Sequence, residues 1–240
     1  MKFIMNRMPR RILLLFAVVT LTLITPLPIH AWQWEERGLR QVPVPFVLHA
    51  LETETSTDLD SDGIPETLTL TANRVAIQTE SQIRWQSPPG WRVRQAQVAD
   101  LNWDGQPEVA LLVWRLFKPW PVDAWLPNGG RIRSFHDSRG ESCHIILIGW
   151  KREAFRELWA GSALAEPIKE FAAVDLTGSG EQYLVTLEGE YDDPPSDSAR
   201  QLKVWEWNGF GFTVVNKLED AFSLLIPVRT EDGRVLILTD

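Results

Sequence analysis

The chain has 240 residues, 44% of them apolar, with 12 tryptophans and a formal net charge of −8. That composition excludes a disordered chain and can fill a sizeable core. The acidic balance argues against nucleic acid or an anionic membrane surface as a partner, and the single Cys143 excludes an intramolecular disulfide.

In chain order, residues 1–31 stand apart from the rest. Lys2, Arg7, Arg10 and Arg11 precede the apolar run 12–23, and Pro26, Pro28 and His30-Ala31 follow. These are the parts of a secretory signal peptide, with cleavage expected after Ala31. An uncleaved anchor is the rival reading, although the apolar run falls short of the ~20 residues of a span. Removal takes four basic and no acidic residues and moves the net charge from −8 to −12. The expected location is extracytoplasmic (secreted, periplasmic or at the cell surface), with no membrane insertion once the segment is gone. Residues 32–240 form the remaining single domain.

Residues 32–44 read as an irregular lead-in and 46–51 as a first strand. An acidic loop follows, Asp58-Leu-Asp60-Ser-Asp62-Gly63-Ile64-Pro-Glu66, which runs into the alternating segment Thr67–Thr71. Further strands are expected at 75–77, 82–85 and 93–98, with a break at Ser87-Pro-Pro-Gly90. The second acidic loop is Asp100-Leu-Asn102-Trp-Asp104-Gly105-Gln106-Pro-Glu108. The run 109–114 lacks alternation, as in a strand covered on both faces. Residues 115–143, with Phe117, Trp120, Trp125 and Phe135 among prolines and glycines, read as a long structured excursion. Strands are expected again at 145–150 and 155–159, where the apolar surroundings of Cys143 favour a buried, inert thiol.

Residues 171–183 are a third, weakened copy in which Asp175 is the one charged residue left in register. A hairpin spans 202–207 and 212–215 across Asn208–Gly211. Residues 224–228 and 234–238 form another hairpin, either a fourth unit or no more than a hairpin. Helical patterning is weak and confined to 120–125 and 162–169. Asp100 follows Asp58 by 42 residues, and Asp175 follows Asp100 by 75, an excess of 33 that is close to the length of the excursion. A period of this size with several short strands per unit points to an all-β fold, a propeller-like array of three to four antiparallel β-units. A four-membered ring closed by pairing 46–51 with 234–238 and an incomplete open array are both compatible with the pattern.

Both acidic loops read D-x-[D/N]-x-D-G-x-x-E. Oxygen ligands at alternate positions, closed by an acid after a glycine turn, suit a hard cation such as calcium, which takes several oxygens at roughly 2.3–2.6 Å. Asp58, Asp60, Asp62 and Glu66, and then Asp100, Asn102, Asp104 and Glu108, are the candidate side-chain ligands. By analogy with calcium loops, Ile64 and Gln106 each add a backbone carbonyl. A solvated Asp-Gly turn is the plainer alternative for either loop taken alone.

At these two loops, each followed by an apolar strand, the sequence resembles the FG-GAP/VCBS-type repeats of integrin-alpha-like β-propellers. The resemblance covers roughly residues 45–215, apart from the excursion. It implies calcium in the loops, and a loop position between the outer strand of one unit and the inner strand of the next. The chain departs from that family in having three clear units and a doubtful fourth, and in the loss of acids from the third loop.

No nucleophile elbow, zinc motif, phosphate loop or paired-cysteine motif is present. Ser142-Cys143-His144 places nucleophile and base types side by side, but adjacent strand residues face opposite ways. The expectation is therefore a non-enzymatic, exported, calcium-binding module that binds a protein or glycan partner or serves as a scaffold. Trp120 and Trp125 carry the alternative of a glycan-binding surface. The tryptophans at 85, 114, 150, 159, 205 and 207 lie in or beside strands and are expected to pack within or between units.

Overall fold

A computed structural model describes residues 28–51, 55–80, 82–119, 135–194 and 196–240. Strands form wherever the sequence alternates or is continuously apolar, and no helix occurs among the described residues. The first sheet holds β4 (Ser56–Thr57), β5 (Glu66–Thr71), β6 (Arg74–Gln78) and β7 (Ile83–Gln86) in chain order; the strands before it, β1 (His30–Glu35), β2 (Gly38–Val42) and β3 (Leu48–Ala50), belong elsewhere. The second sheet holds β8 (Arg92–Ala99), β9 (Glu108–Leu116), β10 (Glu141–Trp150) and β11 (Phe155–Ala160). The third holds β12 (Ile168–Val174), β13 (Tyr183–Glu188), β14 (Ala199–Trp207) and β15 (Phe212–Phe222). The fourth joins both ends of the chain in the order β2-β1-β17-β16-β3, where β16 is Ile226–Thr230 and β17 is Val235–Thr239. All pairings are antiparallel, and the four sheets are arranged as the four blades of a β-propeller.

The cores lie between successive blades. Val109, Leu111, Val113, Ile146 and Ile148 pack with Val75 and Ile77 of the first sheet. The alternate residues Ala110, Leu112, Cys143, Ile145 and Leu147 pack with Phe171 and Leu184 of the third. The second sheet is thus covered on both faces, which is why its two central strands read as unbroken apolar runs. Trp85 and Trp150 lie against the first of these cores and Trp114, Trp159, Trp205 and Trp207 against the second, as expected of packing residues. Cys143 is fully buried and its thiol is pushed up to about 12 by desolvation, leaving it inert.

Several expectations are corrected. The stretch 32–44 is not irregular: β1 and β2 form a tight hairpin whose two turn residues, Glu36 and Arg37, are both left-handed (φ 49° and 65°). Asn-Gly is the usual signal for such a turn, and Glu-Arg carries none of it. Closure does not pair 46–51 with 234–238. Instead β3 pairs with β16 (Val228↔Ala50) and β1 pairs with β17 (Trp32↔Ile237). Residues 162–167 are not helical, because the N–H groups of Gly161 and Leu164 donate to Ile145 and Cys143 of β10 rather than along their own segment. The excursion narrows, since β9 reaches Leu116 and β10 begins at Glu141.

The basic and apolar parts of the expected signal segment lie outside the described residues, as do Trp120 and Trp125. The expected cleavage point after Ala31 falls inside β1, where Ala31 is buried between Leu238 and Val42.

Candidate metal centre

The three loops share one backbone. At the fourth position Ser61, Trp103 and Gly178 have φ of 61°, 59° and 77°, and at the sixth Gly63, Gly105 and Gly180 have 86°, 81° and 93°. A left-handed residue costs least as glycine, which fixes the sixth position. The second position, Leu59, Leu101 and Leu176, is buried each time and nails the loop to the core. The first aspartate closes the turn from within. Asp58 Oδ2 accepts from Gly63 N–H, Asp100 Oδ2 from Gly105 and Asp175 Oδ2 from Gly180, each at 2.9 Å. Each loop joins neighbouring paired strands of one sheet (Thr57↔Glu66, Ala99↔Glu108, Val174↔Tyr183). The expected position between one unit and the next is therefore corrected.

The ninth position decides the chemistry. Glu66 and Glu108 are each only 1% exposed, held there as the first residues of β5 and β9. Glu66 Oε2 accepts from Leu59 N–H at 2.9 Å; Glu108 Oε1 accepts from Leu101 and Asn102 N–H at 3.0 and 3.1 Å. Ligand atoms of Asp58, Asp60 and Glu66 lie within 4.8 Å of one another, and so do those of Asp100, Asp104 and Glu108. Two oxygens on one calcium ion at roughly 2.4 Å each span at most about that distance. Asp62 lies outside the first cluster, and its Oδ1 accepts from Ile64 N–H at 2.8 Å; Asp104 Oδ1 does the same for Gln106 at 2.9 Å. Asn102 turns its amide onto Asp104 Oδ2 at 3.1 Å.

The two clusters differ in what neutralises them. In the first, Arg84 places Nη2 2.7 Å from Asp60 Oδ2 and Nη1 3.5 Å from Glu66 Oε1. In the second, Glu108 Oε2 is buried and, like Glu66 Oε1, has no hydrogen-bond partner, but no described arginine stands beside it. Among the described residues no ion pair reaches Asp100, Asp104 or Glu108; Lys151 lines the neighbouring cavity of about 380 Å³ without pairing to them. Desolvation pushes the Glu108 carboxyl up to about 8, and the negative charges of Asp100 and Asp104 add to this against the two backbone donors. Glu66 is raised in the same direction, again mainly by desolvation, with Arg84 opposing it. A buried carboxyl with one unpaired oxygen beside two more carboxylates suits a bound cation, and these residues fit calcium.

The loops also touch one another. Ser61 Oγ donates to Gln106 Oε1 at 3.1 Å, and Trp103 Nε1 donates to the Gln182 carbonyl at 2.8 Å. Loop is thus tied to loop across successive blades. In the third loop Thr177 and Ser179 hydrogen-bond to each other at 2.8 Å, and Asp175 is satisfied by backbone N–H groups, which makes a turn without an acidic cluster.

One feature escapes a reading of the sequence, and another is noticed there but set aside. Arg84 is the first, since nothing marks an arginine in a short strand as the partner of a loop 24 residues earlier. The other is a buried pair: Ser142 Oγ lies 2.7 Å from His144 Nε2, while His144 Nδ1 lies 2.9 Å from the Gly161 carbonyl. Residues two apart in a strand share a face, so the opposition of adjacent residues does not separate these two. Ser142 is 0% exposed and sits within the β9–β10 ladder, where the pair satisfies buried polar groups.

The chain matches no protein-family profile, and no curated protein matches it.

Proposed function

We propose that this is an exported, non-enzymatic β-propeller of FG-GAP/VCBS type, whose second acidic loop holds calcium and whose role is to bind a protein or glycan partner or act as a scaffold. The carrying observation is Glu108: a carboxyl oxygen buried without a partner, in ligand range of Asp100 and Asp104. Bound calcium would supply charge neutralisation and several oxygen contacts, and the residues to hold it are Asp100, Asn102, Asp104, Glu108 and the Gln106 carbonyl. The chain's own contribution is a prearranged loop, tied to its neighbours through Ser61 and Gln182, so that an ion there braces adjacent blades. The basic and apolar N-terminal segment of the sequence supports export, and export into a calcium-rich medium supports a site of modest affinity, about 10⁻⁴–10⁻³ M.

An ion bound by the folded state alone stabilises it by about 2.7 kcal/mol at a hundredfold excess over Kd. Thermal melting with calcium at that excess, about 10–100 mM, and then with chelator tests this. The wild type gains several degrees with calcium, and Glu108→Gln gains little. Identical melts of the wild type in both solutions would contradict the reading.

A further inference from the structure

The matched loops carry nearly the same acids, yet the strand that reaches them differs at one equivalent place. In the first sheet β7 pairs with β6 through Ile77↔Trp85 and Gln78↔Ile83, so Arg84 is the extra residue of a β-bulge. In the second sheet β11 pairs with β10 through Leu147↔Trp159 and Ile148↔Glu157, so Leu158 is the extra residue of the same bulge. A bulge re-aims a side chain out of the regular alternation. The first bulge aims Arg84 at Asp60 and Glu66. At the second, Leu158 lies against Gly149, so closely that a methyl group on Gly149 would collide with it and also touch Glu108. The third sheet repeats the feature between Val204↔Asn216 and Trp205↔Val214, leaving Val215 as the extra residue beside a loop that has lost its acids.

Resting on the calcium reading above, we infer that Arg84 is a built-in cation that takes the place of a metal ion in the first loop, and that the chain binds one divalent ion, at the second loop. The guanidinium neutralises Asp60 and Glu66 and reaches toward Asp62 at 4.0 Å. It also stacks over Trp150 and Phe155 of the next blade at 5.1 and 5.8 Å. An ion entering the first loop would have to displace a charge that is already paired with the acids and held by two rings. Leucine at the second bulge offers no charge, which leaves that cluster to a cation from solution. The first loop is a permanent inter-blade clasp, and the second is a clasp that depends on calcium.

Calorimetric titration of the full folded chain with calcium tests the assignment. The wild type binds one ion per chain, Arg84→Leu binds two, and Leu158→Arg weakens binding at least a hundredfold. The exposed residues Asp62 and Asp104 give a second test with little risk to folding: Asp104→Asn weakens binding at least tenfold and Asp62→Asn leaves it unchanged. Two equal sites in the wild type, or one site that is lost in Asp62→Asn and kept in Asp104→Asn, overturns the inference while leaving calcium binding in place. No binding by the wild type overturns the calcium reading itself.

Discussion

Glu66 and Glu108 occupy the same place in two turns of the same shape, and one arginine separates their fates. Neither Glu66 Oε1 nor Glu108 Oε2 has a hydrogen bond, but the chain supplies an ion pair, Arg84 at 3.5 Å, for Glu66 and none among the described residues for Glu108. His144 shows the same economy with a neutral group. Burial lowers its pKa from 6.5 to about 4, with the nearby Arg115 charge acting the same way and the Gly161 carbonyl opposing. Because the folded-state pKa lies below the unfolded one, the unfolded chain takes up the proton first as pH falls. Stability is therefore complete above pH 6.5 and declines toward pH 4, by up to about 3 kcal/mol. Urea denaturation of wild type and His144→Gln between pH 7 and 5 checks this. The variant is less stable at pH 7, and its stability changes less across that interval.

Between the second and third blades, side chains stand in for a missing strand. Gln95 accepts from Phe171 N–H at 3.0 Å, and its amide donates to the carbonyl of the same residue. Gln97 repeats this with Ala173, at 3.0 and 3.2 Å. Each glutamine thus mimics the backbone of a neighbouring strand and carries hydrogen bonding from β8 to β12. A cavity of about 510 Å³ beside them can hold water, so an exposed backbone group there is partly compensated. Replacing both glutamines with leucine should cost about 2 kcal/mol, at the low end for buried groups left unpaired. Equilibrium unfolding measures it, and an unchanged midpoint would mean the pairs contribute nothing. These elements are unevenly legible in sequence. β9 and β10 can be read from their unbroken apolar runs, and the acidic loops from their spacing. The Glu36-Arg37 turn is not legible, because left-handed residues without glycine or asparagine leave no mark. Nor is the bulge at Arg84, since a one-residue shift in pairing is set by the neighbouring strand.

At the scale of the whole molecule, the fourth blade closes the ring by drawing β1, β2 and β3 from one end of the chain and β16 and β17 from the other. Sequence periodicity can count three loops but not this blade, which has no D-x-[D/N]-x-D-G loop among its described residues and whose pairs span up to about 200 positions, as between His30 and Thr239. Ala31 sits at its centre, so a chain that starts at Trp32 gives up the His30 and Ala31 pairs and the burial of one methyl group. Such a chain should be about 1–2 kcal/mol less stable than one that starts at Pro28, which paired thermal melts would resolve. The acidic rim is the other feature of this scale, with the first loop tied to the second by Ser61 and the second to the third blade by Trp103. Trp103 also provides the most direct readout, because an indole inside the loop can sensitise the luminescence of terbium bound in calcium's place. Excitation of the wild type should give terbium emission that calcium displaces and that falls at least tenfold in Asp104→Asn. Emission that is absent, or that is unaffected by that substitution, would contradict a cation in the second loop.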